Sequence, residues 1–171
     1  QNTWEIMTAL FISPKYVKRK SIIDGELDSD KLIQFIETAQ DIHIQNYLGT
    51  NLYKKLQTLI INNTINDAIN ADYKLLLEDY IKPMLAWYTQ AEYIPFAAYT
   101  ISNGGVYRHR SDNSDAVDYG EIAGLTTRAS DKATFYTNRF LDYMNFNSEL
   151  YPEYITSSEA MYPDRDANNI G

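Results

Sequence analysis

Cysteine is absent from this 171-residue chain, and histidine occurs only twice. The missing cysteines exclude disulfide bonds, thiolate catalysis and cysteine-ligated zinc, and two histidines exclude a metal site built from three imidazoles. No apolar run approaches the roughly 18 residues that a membrane-spanning helix needs, so we expect no membrane partner. The first twenty residues lack the basic start, apolar centre and small-residue cleavage site of a signal peptide, and the absence of cysteine suits a reducing cytosolic origin.

Catalytic signature motifs are missing as well. The sequence has no nucleophile elbow, Walker motif or paired-carboxylate signature, and the glycine pair at 104–105 is too short to cradle a phosphate. Acids recur every third residue over 112–121, whereas an EF-hand loop needs oxygens at alternate positions. His43 is interpreted as a surface or interface residue, with metal binding through additional carboxylates as the alternative. We therefore expect no enzymatic activity, no metal and no cofactor.

The charge that is present is acidic and unevenly distributed. The net charge is −8, and the segment 149–171 contributes half of it through five carboxylates against one arginine. Because affinity for DNA depends on neutralising phosphates, sequence-specific DNA binding is not expected. The stretch "KYVKRK" is interpreted as a solvated basic face, with docking to an acidic partner or to passing DNA as the alternative. Its four cations are Lys15, Lys18, Arg19 and Lys20.

Hydrophobic periodicity predicts a helical hairpin in the first third of the chain. Apolar residues repeat at helical spacing over 32–42, after a helix cap at Asp28 or the next residue. Gly49 is expected to end this helix in a left-handed conformation. Thr50 is then expected to cap a second helix with apolar positions over 52–60, so that the two helices form an αα-hairpin with a very short connection.

A long and almost entirely apolar helix is predicted over 72–101, where it belongs in the centre of a bundle. Pro83 and Pro95 are each expected to kink or divide it, since proline removes a backbone donor and clashes with the preceding turn. An asparagine-rich loop at 62–71 precedes the helix. The irregular segment at about 102–121 follows it as a long loop or hairpin, which is typical of a functional insertion.

The predicted fold class is therefore all-α, a small helical bundle with a hairpin, a long central kinked helix and an extended C-terminal arm. A last helix is expected over about 121–147, with Ala133, Tyr136, Phe140 and Met144 facing inward. The residues at 5–12 are expected to be extended, with a turn at Pro14. We assign a helical domain to residues 1–155 and the arm to residues 156–171.

Tyrosine is abundant, with 15 residues, and it serves both the edges of cores and interfaces. Because a tyrosine-rich acidic arm cannot form its own core, we expect it to bind another subunit, an expectation that fails if the arm packs on its own bundle. The stretch "YRHRSD" offers cations for a phosphate or, as we favour, for carboxylates of a neighbouring chain. The candidate contacts, besides the basic stretch, are Tyr107, Arg108, His109, Arg110, Tyr151, Tyr154 and Tyr162.

Most of the stretch from residue 9 to residue 155 resembles a known family. The form L-I-x-x-I-x-x-A-Q, followed by a glycine-ended turn, resembles the N-terminal hairpin of tailed-phage head–tail connector proteins, also called adaptors or head-completion proteins. The later stretch "SNGGVYRHRSDNSD…KATFYTNRFLDYMNFNSELYPEY" is similar, more narrowly, to the neck proteins of Bacteroides-infecting, crAss-like phages. The positions that carry the first pattern are Leu32, Ile33, Ile36, Ala39, Gln40 and Gly49.

That resemblance implies a non-enzymatic virion protein, assembled in the host bacterial cytoplasm. Its subunits would form a ring, commonly of about twelve copies, that docks on the portal, extends the DNA channel and carries tail proteins. The 102–121 segment would project toward the lumen or a neighbour, and the arm would reach the portal or an adjacent subunit. An acidic ring suits this role, because like charge lets duplex DNA slide without sequence-specific binding.

Three other classes are the alternatives. A tail terminator or stopper would tend to be β-rich, a small hydrolase would need a nucleophile and base, and a helical DNA-binding regulator would need one positively charged face. Closure of a ring requires a heterologous interface between two different patches. The basic stretch and the acidic arm are opposite in sign, so we predict that they lie on different interfaces or face each other across subunits.

Overall fold

A computed structural model describes residues 8–22, 27–102, 119–156 and 161–167, with side chains described except at 98–102. Within these residues every regular element is helical, which confirms the predicted all-α class. Two π-helical segments, Gln40–Ile44 and Leu76–Ile81, continue one α-helix into the next. The α-helices are α1 (Pro14–Lys20), α2 (Ser29–Ala39), α3 (Gln45–Ile61), α4 (Ala71–Leu75), α5 (Lys82–Ser102) and α6 (Tyr119–Asn147), and short 3-10 turns lie at Ala68–Asn70, Ser148–Leu150 and Pro152–Tyr154.

Helix α5 is the central element of the bundle. Its residues from Met84 to Gln90 are all buried, so this stretch has no side that faces water. Helix α6 packs along α5, and α1 and α2 cover other parts of it. The buried positions of α6 recur at helical spacing and confirm most of the inward face that the sequence predicts. They are Ala129, Ala133, Thr137, Phe140 and Met144.

The two prolines of the long helical run are accommodated differently. Pro83 follows the π-helical segment Leu76–Ile81, whose wider turn is a known way for a helix to adjust around a missing backbone donor. Pro95 lies within α5, which continues to Ser102. The predicted division of the run is therefore not found at Pro95, where the exposed ring faces away from the core and the buried neighbours Tyr93 and Ile94 hold the helix in place.

Pro14 begins a helix where the sequence predicted a turn. Ser13 is the N-cap, and its Oγ accepts a hydrogen bond of 3.2 Å from the backbone N–H of Tyr16. Proline is favoured at the first helical position because its missing N–H would have no helical partner there. Lys18, Arg19 and Lys20 occupy the last turn, where positive charge complements the negative end of the helix dipole.

Gly49 interrupts α3 with a φ of 74° and a ψ of 162°, a combination that is essentially restricted to glycine. The interruption confirms the predicted glycine break. It turns the chain so that the Tyr53 hydroxyl donates to Asp41 Oδ1 at 3.1 Å and accepts from Gln40 Nε2 at 3.2 Å. The helix before the break contains the π-helical segment Gln40–Ile44, which periodicity did not reveal.

Candidate assembly surfaces

The C-terminal arm fills the gap that the break at Gly49 opens. In an unbroken helix the Thr50 N–H would donate to the carbonyl of Asn46, four residues earlier. Here the Thr50 N–H donates to the Met161 carbonyl at 3.1 Å, and the Asn46 carbonyl accepts from the Asp164 N–H at 2.9 Å. The arm thus supplies both backbone partners that the break removes.

Side chains add to this junction. Thr50 Oγ1, predicted as a helix cap, accepts from the Met161 N–H at 3.3 Å, and Asn46 Nδ2 donates to Asp164 Oδ2 at 3.3 Å. Farther along, Ala167 is buried. The described part of the arm therefore packs on its own bundle, and the prediction that the arm orders only on a neighbouring subunit is wrong.

Two of the tyrosines predicted as intersubunit contacts are core residues. Tyr151 is 0% exposed and Tyr154 is 4% exposed. The Tyr151 hydroxyl donates to the Asp72 carbonyl at 2.9 Å and lies 2.9 Å from the Tyr143 hydroxyl. Side chains with so little exposed surface offer no contact area to a second chain, so the assignment of Tyr151 and Tyr154 as contact residues is wrong. Tyr162, at 70% exposed, stays a candidate.

The buried hydroxyls predict a loss of stability in alkali. Burial is the main cause that raises the pKa of Tyr47, Tyr73 and Tyr151, and the Tyr73 hydroxyl also donates to Glu153 Oε2 at 2.6 Å, where ionisation would place two negative charges together. A tyrosine whose pKa is higher in the folded than in the unfolded protein stabilises the fold as long as it stays protonated. This contribution is fully present below the pKa of tyrosine in the unfolded chain, about 10, and is lost as the pH rises through the pKa in the folded protein. We expect the urea midpoint to fall between about pH 10 and about pH 12.

The control for this pH dependence is Tyr73→Phe, which removes one of the hydroxyls whose pKa is raised. Equilibrium unfolding in urea, followed by circular dichroism over the same pH series, should give a shallower alkaline decline for the variant than for the wild type. Lysine side chains also titrate near this pH, but they are common to both proteins. Identical declines would contradict the assignment to the buried phenols.

The cations of α1 form an exposed surface, here called the basic helix. Lys15, Lys18, Arg19 and Lys20 are all exposed, which agrees with the predicted solvated face. Lys18 Nζ donates to Ser29 Oγ at 2.9 Å, while the fully buried Val17 turns the opposite side of α1 into the core. The basic helix packs against α2 and α5, whereas the arm lies against α3. Tyr107, Arg108, His109 and Arg110 lie outside the described residues.

His43 connects three parts of the bundle. Its ring stacks on Tyr88 at 4.1 Å between centroids and 9° between planes, and its Nε2 lies 3.0 Å from Glu92 Oε1. The Tyr88 hydroxyl lies 2.9 Å from Thr137 Oγ1 on α6. The side chain is therefore a half-buried packing residue rather than a free surface histidine. Across the residues that the structure describes, no three His, Cys, Asp or Glu side chains are grouped to hold a metal ion.

This chain belongs to a family of unknown function, DUF6712. The family profile matches residues 44–164, which is more than half of the sequence. The matched range includes both the break at Gly49 and the arm segment that fills it. No curated protein and no solved structure matches the chain. Among the described residues of this DUF6712 protein, no helix is both long enough and apolar enough to cross a membrane.

The DUF6712 chain also carries an exposed aromatic surface that the sequence reasoning missed, here called the aromatic face. Phe135 is 63% and Phe146 is 81% exposed, and a separation of eleven residues, three helical turns, places them on one side of α6. Tyr80 stacks on Tyr143 at 4.2 Å, and the Arg139 guanidinium lies 4.9 Å from the Tyr80 ring centre. These five side chains line a surface groove of about 500 Å³.

Exposed aromatic and arginine side chains of this kind are typical of protein interfaces. A signal for them existed in the sequence. Phe135 and Phe146 fall out of phase with the stripe formed by Ala133, Phe140 and Met144, and apolar residues outside the core stripe of an amphipathic helix have no partner within the bundle.

Proposed function

We propose that this chain is a structural subunit of a phage neck, whose copies form a ring that docks on the portal. The observation that carries the proposal is the aromatic face on an all-α chain. Leaving Phe135 and Phe146 in water is unfavourable, and assembly into a larger structure removes that cost. In this role the ring extends the DNA exit channel of the virion and provides a platform for the next neck or tail protein.

Charge supports a heterologous contact between copies. The basic helix concentrates four exposed cations on one short element, although the chain as a whole carries a net charge of −8. A positively charged patch on an otherwise negatively charged surface is suited to a head-to-tail interface, in which two different regions of each subunit meet. The excess of acid disfavours adhesion of DNA that passes through the ring.

The proposal is tested by imaging the purified full-length chain, alone and mixed with a phage portal protein. We expect negative-stain electron microscopy to show closed rings, and mass photometry to give a single oligomer of about twelve subunits, at least in the presence of portal. A chain that stays monomeric at every concentration, with and without portal, would contradict the proposal.

Charge reversal of the basic helix should weaken this assembly. We expect the triple variant Lys18→Glu, Arg19→Glu, Lys20→Glu to raise the subunit dissociation constant at least about tenfold at low salt, because it replaces attraction by repulsion at the interface. The effect should shrink in high salt, where exposed charges are screened. Sedimentation velocity over a dilution series measures both quantities.

The matched control has the same change in net charge at exposed cations away from both α1 and the aromatic face. It carries Lys31→Glu, Lys74→Glu and Arg165→Glu, none of which lies on α1 or α6. Equal weakening in both triple variants would mean that net charge, and not the basic helix, governs association. Ring formation that neither variant changes would remove the basic helix from the interface.

A further inference from the structure

Helix α6 carries a second stripe of side chains, on the side opposite its buried stripe. Four exposed residues follow one another at i, i+4, i+7 and i+11, so they lie on one side of the helix. All four line the groove of the aromatic face, and they place one aromatic ring at each end of the stripe and one charge of each sign between the rings. They are Phe135, Arg139, Asp142 and Phe146.

The order of these four residues is symmetric about one point on the helix. The midpoint between Phe135 and Phe146 falls between positions 140 and 141, and the midpoint between Arg139 and Asp142 falls at the same place. If two copies of α6 lie antiparallel about a two-fold axis at this point, residues at equal distances on either side of it come to the same height. Phe135 then lies beside Phe146 of the other copy, and Arg139 lies beside Asp142 of the other copy.

The two charges are available for such a contact. Among the described residues, neither Arg139 nor Asp142 makes an ion pair within its own chain. The antiparallel arrangement gives each of them a partner of opposite sign, whereas a parallel pair in register would bring like charges together. The stripe is therefore complementary in both shape and charge to a second copy of itself.

The rings that form the groove hold the cation in position. The Arg139 guanidinium lies 4.9 Å from the Tyr80 ring centre, and Tyr80 stacks on Tyr143 at 4.2 Å. The Tyr143 hydroxyl in turn lies 2.9 Å from that of the fully buried Tyr151. Because this chain of contacts reaches the core, less side-chain freedom is lost when a partner binds.

We propose that two copies of the free chain bind each other through their aromatic faces, with the two α6 helices antiparallel about a two-fold axis. Phenylalanine rings cover each other at both ends of the contact, and two Arg139–Asp142 pairs form between the copies at its centre. An isologous contact of this kind closes at two copies, so it differs from the head-to-tail contact of the proposed ring. This inference stands independently of the ring, whose formation would exchange the paired faces for the contacts of the ring.

The absence of cysteine makes a cross-linking test of this geometry possible. Asn138 is exposed and lines the same groove, and in the antiparallel pair its two copies differ in height by about 8 Å. The matched control is Thr127, which is exposed on the same side of α6 eleven residues earlier and whose two copies differ in height by about 40 Å. A short bismaleimide should therefore link Asn138→Cys into a dimer and leave Thr127→Cys unlinked.

The other outcomes of the cross-linking test would overturn the inference. Linking of both variants would indicate a parallel pair. Linking of neither variant, at concentrations up to hundreds of micromolar, would indicate that α6 does not pair with itself. A contact made by one helix face per copy is at the lower end of specific interfaces, so we expect a dissociation constant on the order of micromolar.

Charge substitutions test the predicted pairing directly. Arg139→Asp and Asp142→Arg should each raise the dissociation constant of the dimer at least about tenfold at low salt, because each places like charges opposite each other at both ion pairs. An equimolar mixture of the two variants should restore the affinity as a heterodimer, in which every pair is again of opposite sign. Sedimentation velocity measures the affinities, and circular dichroism checks that each variant is folded. A mixture that stays monomeric would contradict the antiparallel pairing.

The apolar ends of the contact have their own test. Phe146→Ala, a change at an exposed position, should leave the unfolding transition of the monomer unchanged but raise the dissociation constant of the dimer at least about tenfold. Ile69→Ala, at a residue that is 89% exposed outside α6, should change neither quantity. Rings that form on a portal from a chain that never dimerises would overturn this inference and leave the proposed function standing. A cross-linked dimer that never forms rings would do the reverse.

Discussion

Gly49→Ala is expected to lower the free energy of unfolding by about 2–3 kcal/mol. The backbone at Gly49 has a φ of 74°, which side chains rarely tolerate, and an added Cβ would lie 2.9 Å from the Cδ of Pro163. The variant must therefore either strain the break or push the arm away. If the arm leaves, the Thr50 N–H and the Asn46 carbonyl lose the partners that Met161 and Asp164 provide.

A matched control exists in the same chain. Gly124 lies on α6 with nothing within 4 Å of an added Cβ, so Gly124→Ala should stabilise the protein by about 0.5–1 kcal/mol through its higher helix propensity. Urea unfolding measures both free energies. Hydrogen exchange adds a local readout, since the amides of Thr50 and Asp164 should lose protection in Gly49→Ala alone. If both glycine variants raised, or both lowered, the free energy of unfolding, this account of the break would be contradicted.

Local signals in the sequence were sufficient for much of the helical framework. Asp28 caps α2 through a hydrogen bond to the Asp30 N–H, as its position before an apolar repeat predicts. The predicted last helix at 121–147 differs from α6 by two residues at its start, and the break lies at Gly49. These features depend on residues close together in the chain, which is why spacing and propensity predict them.

The arm could not be placed by the same reasoning, because its contacts are remote in sequence. Asn46 and Asp164 are 118 residues apart, and two of the hydrogen bonds that hold the arm join only backbone groups beside the break. Backbone donors and acceptors leave no mark on composition. The abundance of tyrosines and acids therefore suggested an intersubunit role for a segment that completes its own bundle.

Of the two assembly surfaces, one was predicted from the sequence and the other was not. The basic stretch was found because four cations in six residues are visible in the sequence, and all four prove exposed. The out-of-phase positions of Phe135 and Phe146 are visible in the sequence, but the complete aromatic face is not, because Tyr80 joins it from a distant segment.

Tyr151→Ala should have the largest effect of any arm-proximal substitution, a loss of about 3–5 kcal/mol in the free energy of unfolding. The side chain has no exposed surface and packs its ring edge-on against Tyr73 at 5.5 Å between centroids. Tyr151→Phe keeps the ring but removes the donor to the Asp72 carbonyl and the partner of Tyr143, so it should cost about 1–2 kcal/mol. Thermal and urea unfolding of the two variants separates the contributions of ring and hydroxyl.

Tyr162→Ala is the counterpart, since this side chain is 70% exposed and belongs to the same tyrosine-rich end of the chain. Its free energy of unfolding should change by less than about 0.5 kcal/mol, and any defect should appear in subunit association instead. If Tyr162→Ala lowered the free energy of unfolding of the monomer as much as Tyr151→Ala, the assignment of Tyr151 to the core and Tyr162 to the surface would be contradicted. The distinction matters for the ring, because an assembly defect can be assigned to an interface only in a variant whose monomer remains folded.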